Sequence, residues 1–275
     1  VLINSPGPVE TSAHLYEFDS VHGRAAGRIT YGDDWVDIGT GKIYMTRERD
    51  PANIPHAKHG VDIVLECSGK FNNRDASAAH LAAGARKVLV SAPCKNADQT
   101  IVYGVNHTNL TADSNVVSNA SCTTNCLAPI AKVLADNVGI EAGYMTTIHA
   151  YTGDQPTLDS SHTDLRRARA AAVSMIPTST GAAKAVGEVL PQLQGCMNGS
   201  AIRVPTANVS VVDLVITTSR DTSIDEINQA LSDAANGPMK DILGINERPL
   251  VSVDFNHNPH SSIADLTQTS VLNKR

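Results

Sequence analysis

The sequence predicts an α/β protein in which a parallel sheet wrapped by helices is followed by an α+β domain built on a mostly antiparallel sheet. Three observations predict it. Short runs rich in β-branched residues alternate with Ala/Leu stretches at helical spacing as far as residue 121. From Cys122 onward the pattern turns to longer strands and amphipathic helices. Aromatic residues are scarce, with three Phe, one Trp and six Tyr, so the cores must be made of Val, Ile, Leu and Ala, as in sheets covered by helices.

In chain order, 1–4 reads as a strand, 42–45 as an edge strand and 61–67 as a buried strand. Residues 74–84 follow as a helix ending at a glycine, and 87–92 and 116–119 as further strands. Together 1–121 is expected to form part of a Rossmann-type parallel sheet, with 122–275 as a separate domain. The usual phosphate-binding signature, G-x-G-x-x-G after the first strand, is absent, so the first βα unit of such a domain is expected to be missing. In the second domain a helix runs from Cys122 to about Asn137 with Pro129 inside it, followed by a strand at 144–150 and a long basic loop. A helix at 181–193, strands at 201–204 and 210–217 and a helix at 223–235 come next, the last with Ser223 as N-cap and Glu226 three residues on. Strands at 250–255 and 262–266 are expected to complete the sheet.

Composition narrows the partners. The chain has 275 residues, 41% hydrophobic, 18% charged and with a net charge of -6, which excludes disorder and gives no long-range attraction for nucleic acid. No apolar run is long enough to span a bilayer, so neither membrane nor nucleic acid is an expected partner. Any phosphate-bearing ligand must then be a small molecule held by a local site. Five cysteines at 67, 94, 122, 126 and 196 form an odd set without a CxxC pair, so no disulfide framework or metal site is expected, and a reducing, cytoplasmic location fits. No secretory leader is visible at Val1, and the sequence reads as starting in the middle of a fold.

The segment Ser121-Cys122-Thr123-Thr124-Asn125-Cys126 follows a strand and opens a helix. A thiol there meets unpaired backbone N–H groups and the positive end of the helix dipole, both of which favour thiolate. Cys122 is thus a candidate nucleophile, whereas Cys126, one turn further in, suits a buried apolar thiol. The same N–H groups and the hydroxyls of Ser121 and Thr123 can hold an oxyanion or phosphate. His149, at the end of a strand, brings an imidazole, the side chain suited to take a proton from a thiol and return it to a substrate oxygen. Arg166, Arg167 and Arg169 form a basic cluster, Ser179-Thr180-Gly181 opens another helix, and Arg203 stands among apolar strand residues, where a guanidinium is costly without an anion. Two anion sites are expected, with at least one arginine of the cluster serving only as a solvated or subunit-facing residue.

Seven stretches then carry a resemblance: DSVHGR at 19–24, ERDPAN at 48–53, SNASCTTNCLAPIAKVL at 118–134, TTIHAYTGDQ at 146–155, DLRRARAAA at 164–172, IPTSTGAAKAVGEVLP at 176–191 and RVPTANVSVVDL at 203–214. In this order they resemble the phosphorylating glyceraldehyde-3-phosphate dehydrogenases, those of bacteria in particular. The resemblance implies that Cys122 attacks the aldehyde of glyceraldehyde 3-phosphate, that His149 activates the thiol, and that hydride passes to NAD. Inorganic phosphate then releases an acyl phosphate, 1,3-bisphosphoglycerate, from a thioester. It implies Thr152, Asp154 and Arg203 near the substrate phosphate, and Ser121, Thr123, Thr180, Gly181 and Arg167 near the attacking phosphate. For the cofactor it implies Asn4 and Ser5 at the adenosine ribose, Arg49 near the adenine and Ser68, Gly69 and Ser91 along the nucleotide, and for the full-length form a homotetramer.

The sequence departs from the family at both ends, ahead of Val1 and beyond Arg275, so the resemblance predicts a chain short of the glycine loop and of the closing C-terminal segment. Ser5 stands where NAD-preferring relatives carry an acid, which leaves NADP open beside NAD. The alternatives are an erythrose-4-phosphate dehydrogenase, which shares the SCTTNC run and the DFNHNPH type of ending at 254–260, and an inactive truncated fragment.

Overall fold

The computed structural model describes residues 1–275. They divide into two compact units, one of Val1–Thr100 with Leu110–Asn119 and the other of Ile101–Asn109 with Ala120–Arg275.

The first unit begins with β1 (Leu2–Asn4) and α1 (Val9–Glu17), then β2 (Phe18–Asp19), β3 (Gly23–Arg24), β4 (Thr30–Tyr31), β5 (Trp35–Asp37) and β6 (Lys42–Thr46). β6 lies between β1, its parallel neighbour, and β5, its antiparallel one, so the 42–45 strand is interior to its sheet and not an edge. Val9 and Ala13 of α1 pack on Val36 and Met45, the inward residues of β5 and β6. Next come β7 (Ile63–Glu66), the short helices α2 (Arg74–Ser77) and α3 (Ala79–Ala82), β8 (Lys87–Val90), β9 (Gln99–Thr100) and β10 (Val116–Ser118). These strands form an all-parallel sheet in the order β7-β8-β10-β9. The expected parallel sheet is present as β7-β8-β10-β9, and β1-β6-β5-β4 forms a second, mixed sheet. Asn73 caps α2 by accepting the Ala76 N–H at 2.9 Å, and the 74–84 helix is interrupted at Ala78 before Gly84, at φ +109°, ends it.

The second unit is built on α4 (Cys122–Asn137), β11 (Ala142–Ala150), β12 (Ile176–Ser179), α5 (Ala182–Val189), β13 (Met197–Val204), β14 (Val211–Thr217), α6 (Ile224–Asn236), β15 (Leu243–Asn246) and β16 (Ser262–Asp265). Its main sheet runs β12-β13-β11-β14; two of its three pairings are antiparallel, and the central one, β11 with β13, is parallel. β15 and β16 pair in parallel as a separate two-stranded sheet, and 252–255 is a 3₁₀ turn, so neither 250–255 nor 262–266 extends the main sheet. The Asp254 carboxylate accepts the Val251 N–H at 2.8 Å and so favours the turn over a strand.

Helix α4 continues through Pro129 to Asn137 because its apolar stripe, Leu127, Ala128, Ala131 and Leu134, is fully sequestered against Ala182, Ala183 and Val186 of α5 and Met145 of β11. Burial of a Leu side chain such as Leu127 is worth about 1.5–3 kcal/mol, so Leu127 and Leu134 together offset the roughly 3 kcal/mol that an interior proline costs. At the end of α5 the chain breaks at Leu190, and Pro191 opens a separate 3₁₀ turn, which shortens the helix expected over 181–193. Ser223 caps α6 by accepting the Glu226 N–H at 3.2 Å, but Glu226 turns its carboxylate to Arg220 and Thr222 and does not close a capping box.

Strand alternation places the site. On β11 the alternate residues Met145, Thr147 and His149 are buried, followed by Ala150 at the strand's end, so His149 lies on the core-facing side of the sheet, and Cys122 begins the helix packed in that same core.

Candidate active site

Ser121 has extended backbone and caps α4, its Oγ accepting the Thr124 N–H at 3.0 Å and lying 2.7 Å from Thr124 Oγ1. That cap starts the helix at Cys122, an exposed residue at the helix end. Its Sγ lies 3.3 Å from Nε2 of His149, which is only 7% exposed. Nδ1 of His149 lies 2.6 Å from the Ala150 carbonyl oxygen, and a carbonyl can only accept, so Nδ1 carries a proton and Nε2 is the nitrogen that exchanges one with sulfur. The hydrogen bond from His149 is the largest influence holding the Cys122 thiol below the ordinary thiol range; the charge of His149 and the N–H and hydroxyl of Thr123 act the same way, against burial. Cys126 goes the other way: burial pushes its thiol up, and its Sγ meets only the Ser262 hydroxyl at 3.6 Å.

Arg203 is joined to this pair through one backbone atom. Strand register sets it beside His149, and its Nη1 donates to the same Ala150 carbonyl at 3.0 Å and to Thr152 Oγ1 at 3.2 Å. Its Nε is buried without a partner, and burial, with the Arg167 charge adding to it, pushes the guanidinium pKa down, while Cys122 and Asp154 act to keep it charged. A cation so placed is able to hold an anion. Arg167 is engaged within the chain: Nη1 donates to Asp154 at 2.8 Å, Nε to Thr178 Oγ1 at 3.0 Å and Nη2 to the Ser179 carbonyl at 3.2 Å. Asp154, whose carboxyl is held below the usual range by Arg167 and His162 against burial, is thus a partner of that arginine; a carboxylate itself repels phosphate. Thr180 Oγ1 accepts the Ala182 N–H at 3.2 Å at the start of α5, and no hydrogen bond joins Thr180 or Gly181 to Cys122 or His149. Arg169 pairs with Asp159 on the surface at 2.8 Å, as expected of one member of the basic cluster.

Sequence reasoning missed several parts. The Ala150 carbonyl, which orders both His149 and Arg203, carries no side-chain signal at all. Thr178 and Asp164, hydrogen-bonded to each other at 2.6 Å beneath Arg167, had a weak one in the acid three residues ahead of Arg167.

In the first unit, Ser68, Gly69 and Ser91 are exposed at the carboxyl ends of the parallel strands β7 and β8, where open α/β sheets bind ligands. Gly69 has φ +72° and a Cβ there would meet nothing within 4 Å, so the turn leaves open room for a ligand to approach its backbone, which fits a nucleotide. Ser5 follows β1, its N–H bonded to the Thr46 carbonyl at 2.9 Å, and Arg49 is exposed. Asn4 is committed to the chain, accepting from Thr46 Oγ1 and Glu48 N and donating to the Glu48 carbonyl, each at 2.9 Å, so it braces this end of the sheet.

Two family models match. That of the glyceraldehyde 3-phosphate dehydrogenase NAD binding domain covers residues 1–74, and that of the C-terminal domain covers 121–275. A glyceraldehyde-3-phosphate dehydrogenase of Cereibacter sphaeroides is 62% identical over 275 residues, all of this chain and 82% of the relative. One from Xanthobacter flavus is 64% identical over 272 residues, 99% of this chain and 81% of the relative. Glyceraldehyde-3-phosphate dehydrogenase 2 of Bacillus subtilis is 48% identical over 276 aligned positions, spanning 100% of this chain and 81% of the relative. With both domains matched and such identity along its whole length, the chain belongs to the glyceraldehyde-3-phosphate dehydrogenase family.

Proposed function

We propose that this chain oxidises D-glyceraldehyde 3-phosphate to 1,3-bisphosphoglycerate with NAD, with Cys122 as nucleophile and His149 as its acid–base partner. The observation that carries the assignment of roles is the 3.3 Å contact between Cys122 Sγ and His149 Nε2 at the start of α4. The thiolate adds to the aldehyde carbon, and the imidazolium returns its proton to the new oxyanion, giving a hemithioacetal. His149 Nε2 then removes the hydroxyl proton as the carbon loses hydride and becomes a thioester. NAD, when bound, supplies the hydride acceptor; Ser5, Arg49, Ser68, Gly69 and Ser91 would hold it, with Asn4 bracing the ribose end. A phosphate oxygen adds to the thioester carbonyl, the carbon–sulfur bond breaks, and His149 stabilises the departing thiolate. Arg203 and Thr152 bind the substrate phosphate. Ser121, Thr123, Thr180, Gly181 and Arg167 serve the attacking phosphate, and Asp154 holds Arg167 in place.

Ser5 lacks a carboxylate that would repel a 2'-phosphate, so NADP is the cofactor to compare with NAD. The homotetramer is part of the same reading. Tyr144 and Val215, paired across β11 and β14, and Val211 are exposed on one face of the main sheet, as a covered subunit face requires. A cytoplasmic location agrees with five free cysteines; no helix is long and apolar enough to cross a membrane. The test is NAD reduction by glyceraldehyde 3-phosphate with and without phosphate, beside erythrose 4-phosphate. The expected result is a phosphate-dependent preference for the triose that Cys122→Ser abolishes. Activity surviving that substitution, or a strong preference for the four-carbon sugar, overturns the reading.

A further inference from the structure

Beneath the Ser68–Gly69 turn lies a chain of buried polar groups that the chemistry above does not use. Glu66, the last residue of β7, is 6% exposed; its Oε1 accepts the Ser68 N–H at 2.7 Å and its Oε2 lies 3.0 Å from Nε2 of His80 on α3. His80, 3% exposed, presents Nδ1 to Nε2 of His56 at 3.0 Å, and His56, 5% exposed, has no partner at Nδ1. The Glu66 carbonyl also accepts the Ser91 N–H at 3.0 Å, so one residue is bonded to both parts of the open lip. Phe71 lies edge-on to the His80 ring.

Donor and acceptor roles run one way along this chain. An ionised Glu66 only accepts, so His80 Nε2 carries a proton and its Nδ1 accepts; His56 Nε2 then donates, and the bare lone pair falls on His56 Nδ1. Any additional proton on either imidazole leaves a buried N–H at His56 Nδ1 facing no acceptor, which is costly. Burial, followed by the facing His80, moves the His56 pKa down, and Glu66 is held below its usual range by His80 and Ser68 against burial. Other charged groups on the neighbouring segments are turned away: Lys58, Asp62, Lys70, Asp75 and Arg86 are exposed. The His59 ring lies tilted against that of Tyr44 at 5.4 Å, Arg74 pairs with Asp98, and Lys87 bonds to Ser114 and Asn115.

We propose that Glu66 and His80 are positioning residues for the nucleotide: the buried Glu66–His80–His56 chain holds the Ser68–Gly69 turn in its binding form and releases it when acid adds a proton. This rests on reading the lip as the nucleotide site. Binding therefore weakens toward acid, and it depends on hydrogen-bond polarity at residue 80 more than on the imidazole itself.

The test is calorimetric titration of the full chain with NAD. His80→Phe, which removes both bonds, is expected to weaken binding about tenfold, the effect of one lost charge-assisted hydrogen bond, with kcat at saturating NAD kept within about twofold. His80→Gln presents an amide N–H and C=O in the same order and is expected to bind within about twofold of the parent. Between about pH 8 and pH 5.5 the parent loses affinity, and the double variant His56→Gln/His80→Gln, which keeps amide hydrogen bonding but carries no imidazole in the chain, loses much less. Equal affinity of His80→Phe and the parent overturns the proposal, and so does an undiminished acid loss in the His56→Gln/His80→Gln double variant, a measurement that stands even where the Phe variant does not fold. Ser91→Trp, which fills the lip from its exposed side, separates the two readings. If it leaves NAD affinity unchanged, the lip is not the nucleotide site; if it abolishes binding while the residue-80 variants behave as the parent, the lip reading survives and the positioning role fails.

Discussion

Replacing His149 with Asn isolates what the imidazole does for the thiol. The Asn amide can still donate to the Ala150 carbonyl, now bonded at 2.6 Å by Nδ1, and so keeps the acceptor shared with Arg203, but it cannot reach Sγ or carry a proton to it. The lost contact, 3.3 Å between Sγ and Nε2, becomes charge-assisted in the thiolate form and is worth about 1.5–3 kcal/mol. At about 1.4 kcal/mol per factor of ten, the thiolate population at neutral pH falls by about ten- to a hundredfold. General acid–base catalysis by one positioned side chain is worth about 10²–10⁴. The two effects share one proton and do not multiply, so kcat/KM is expected to fall by about 10²–10⁴. The assay is the pH dependence of Cys122 alkylation by iodoacetamide, read by peptide mass, beside steady-state rates. In the parent the rate rises through a midpoint below the ordinary thiol range; in the variant that midpoint moves up. The sign is that of an acid whose folded pKa is depressed: the pair contributes stability above the unfolded thiol's pKa and loses it as pH falls through the folded value. An unmoved midpoint would mean that the helix end alone creates the thiolate and would refute the role given to His149.

Arg203→Lys is expected to raise the KM for the aldehyde about tenfold or more, with a smaller change in kcat, because an ammonium cannot keep both the Ala150 and Thr152 bonds and present a planar face to phosphate. Ser121→Ala removes the N-cap of α4 and is expected to cost about 1 kcal/mol of stability by urea unfolding. Gly199→Ala brings a Cβ to 2.6 Å from the Met145 carbonyl, between β11 and β13, and is expected to destabilise by about 1–3 kcal/mol, seen as a lower unfolding midpoint.

Elements with local signatures were legible in the sequence. α4 runs from Cys122 to Asn137 as expected, capped by Ser121 and followed by Gly139 at φ +71°, and β7, β8 and β10 follow their runs of β-branched residues. What was not legible is what depends on partners far along the chain. The 42–45 strand was expected at an edge, yet β6 is interior because β5, a run of Trp35, Val36 and Asp37 too short to show a period, pairs with it. The 250–255 run has strand composition, but Asp254 closes it into a turn. The same holds at the site. Cys122 and His149 could be nominated by residue type, but their 3.3 Å contact follows from sheet and helix packing, and a backbone carbonyl between His149 and Arg203 has no letter in the sequence.

The two cysteines of α4 show how far placement outweighs residue type. Cys122 and Cys126 sit one turn apart in the same helix and in the same SCTTNC run, yet the first is exposed at the helix end with an imidazole 3.3 Å away and its pKa goes down, while the second is drawn inward and its pKa goes up. The dipole at the helix start decays within its first turn, so by Cys126 it no longer offsets desolvation, and the Ser262 hydroxyl at 3.6 Å supplies too little to reverse it. For the proposed nucleophile three conditions coincide: a capped helix start, a strand that turns His149 toward it, and a carbonyl that fixes the tautomer. Only Cys122 meets them all.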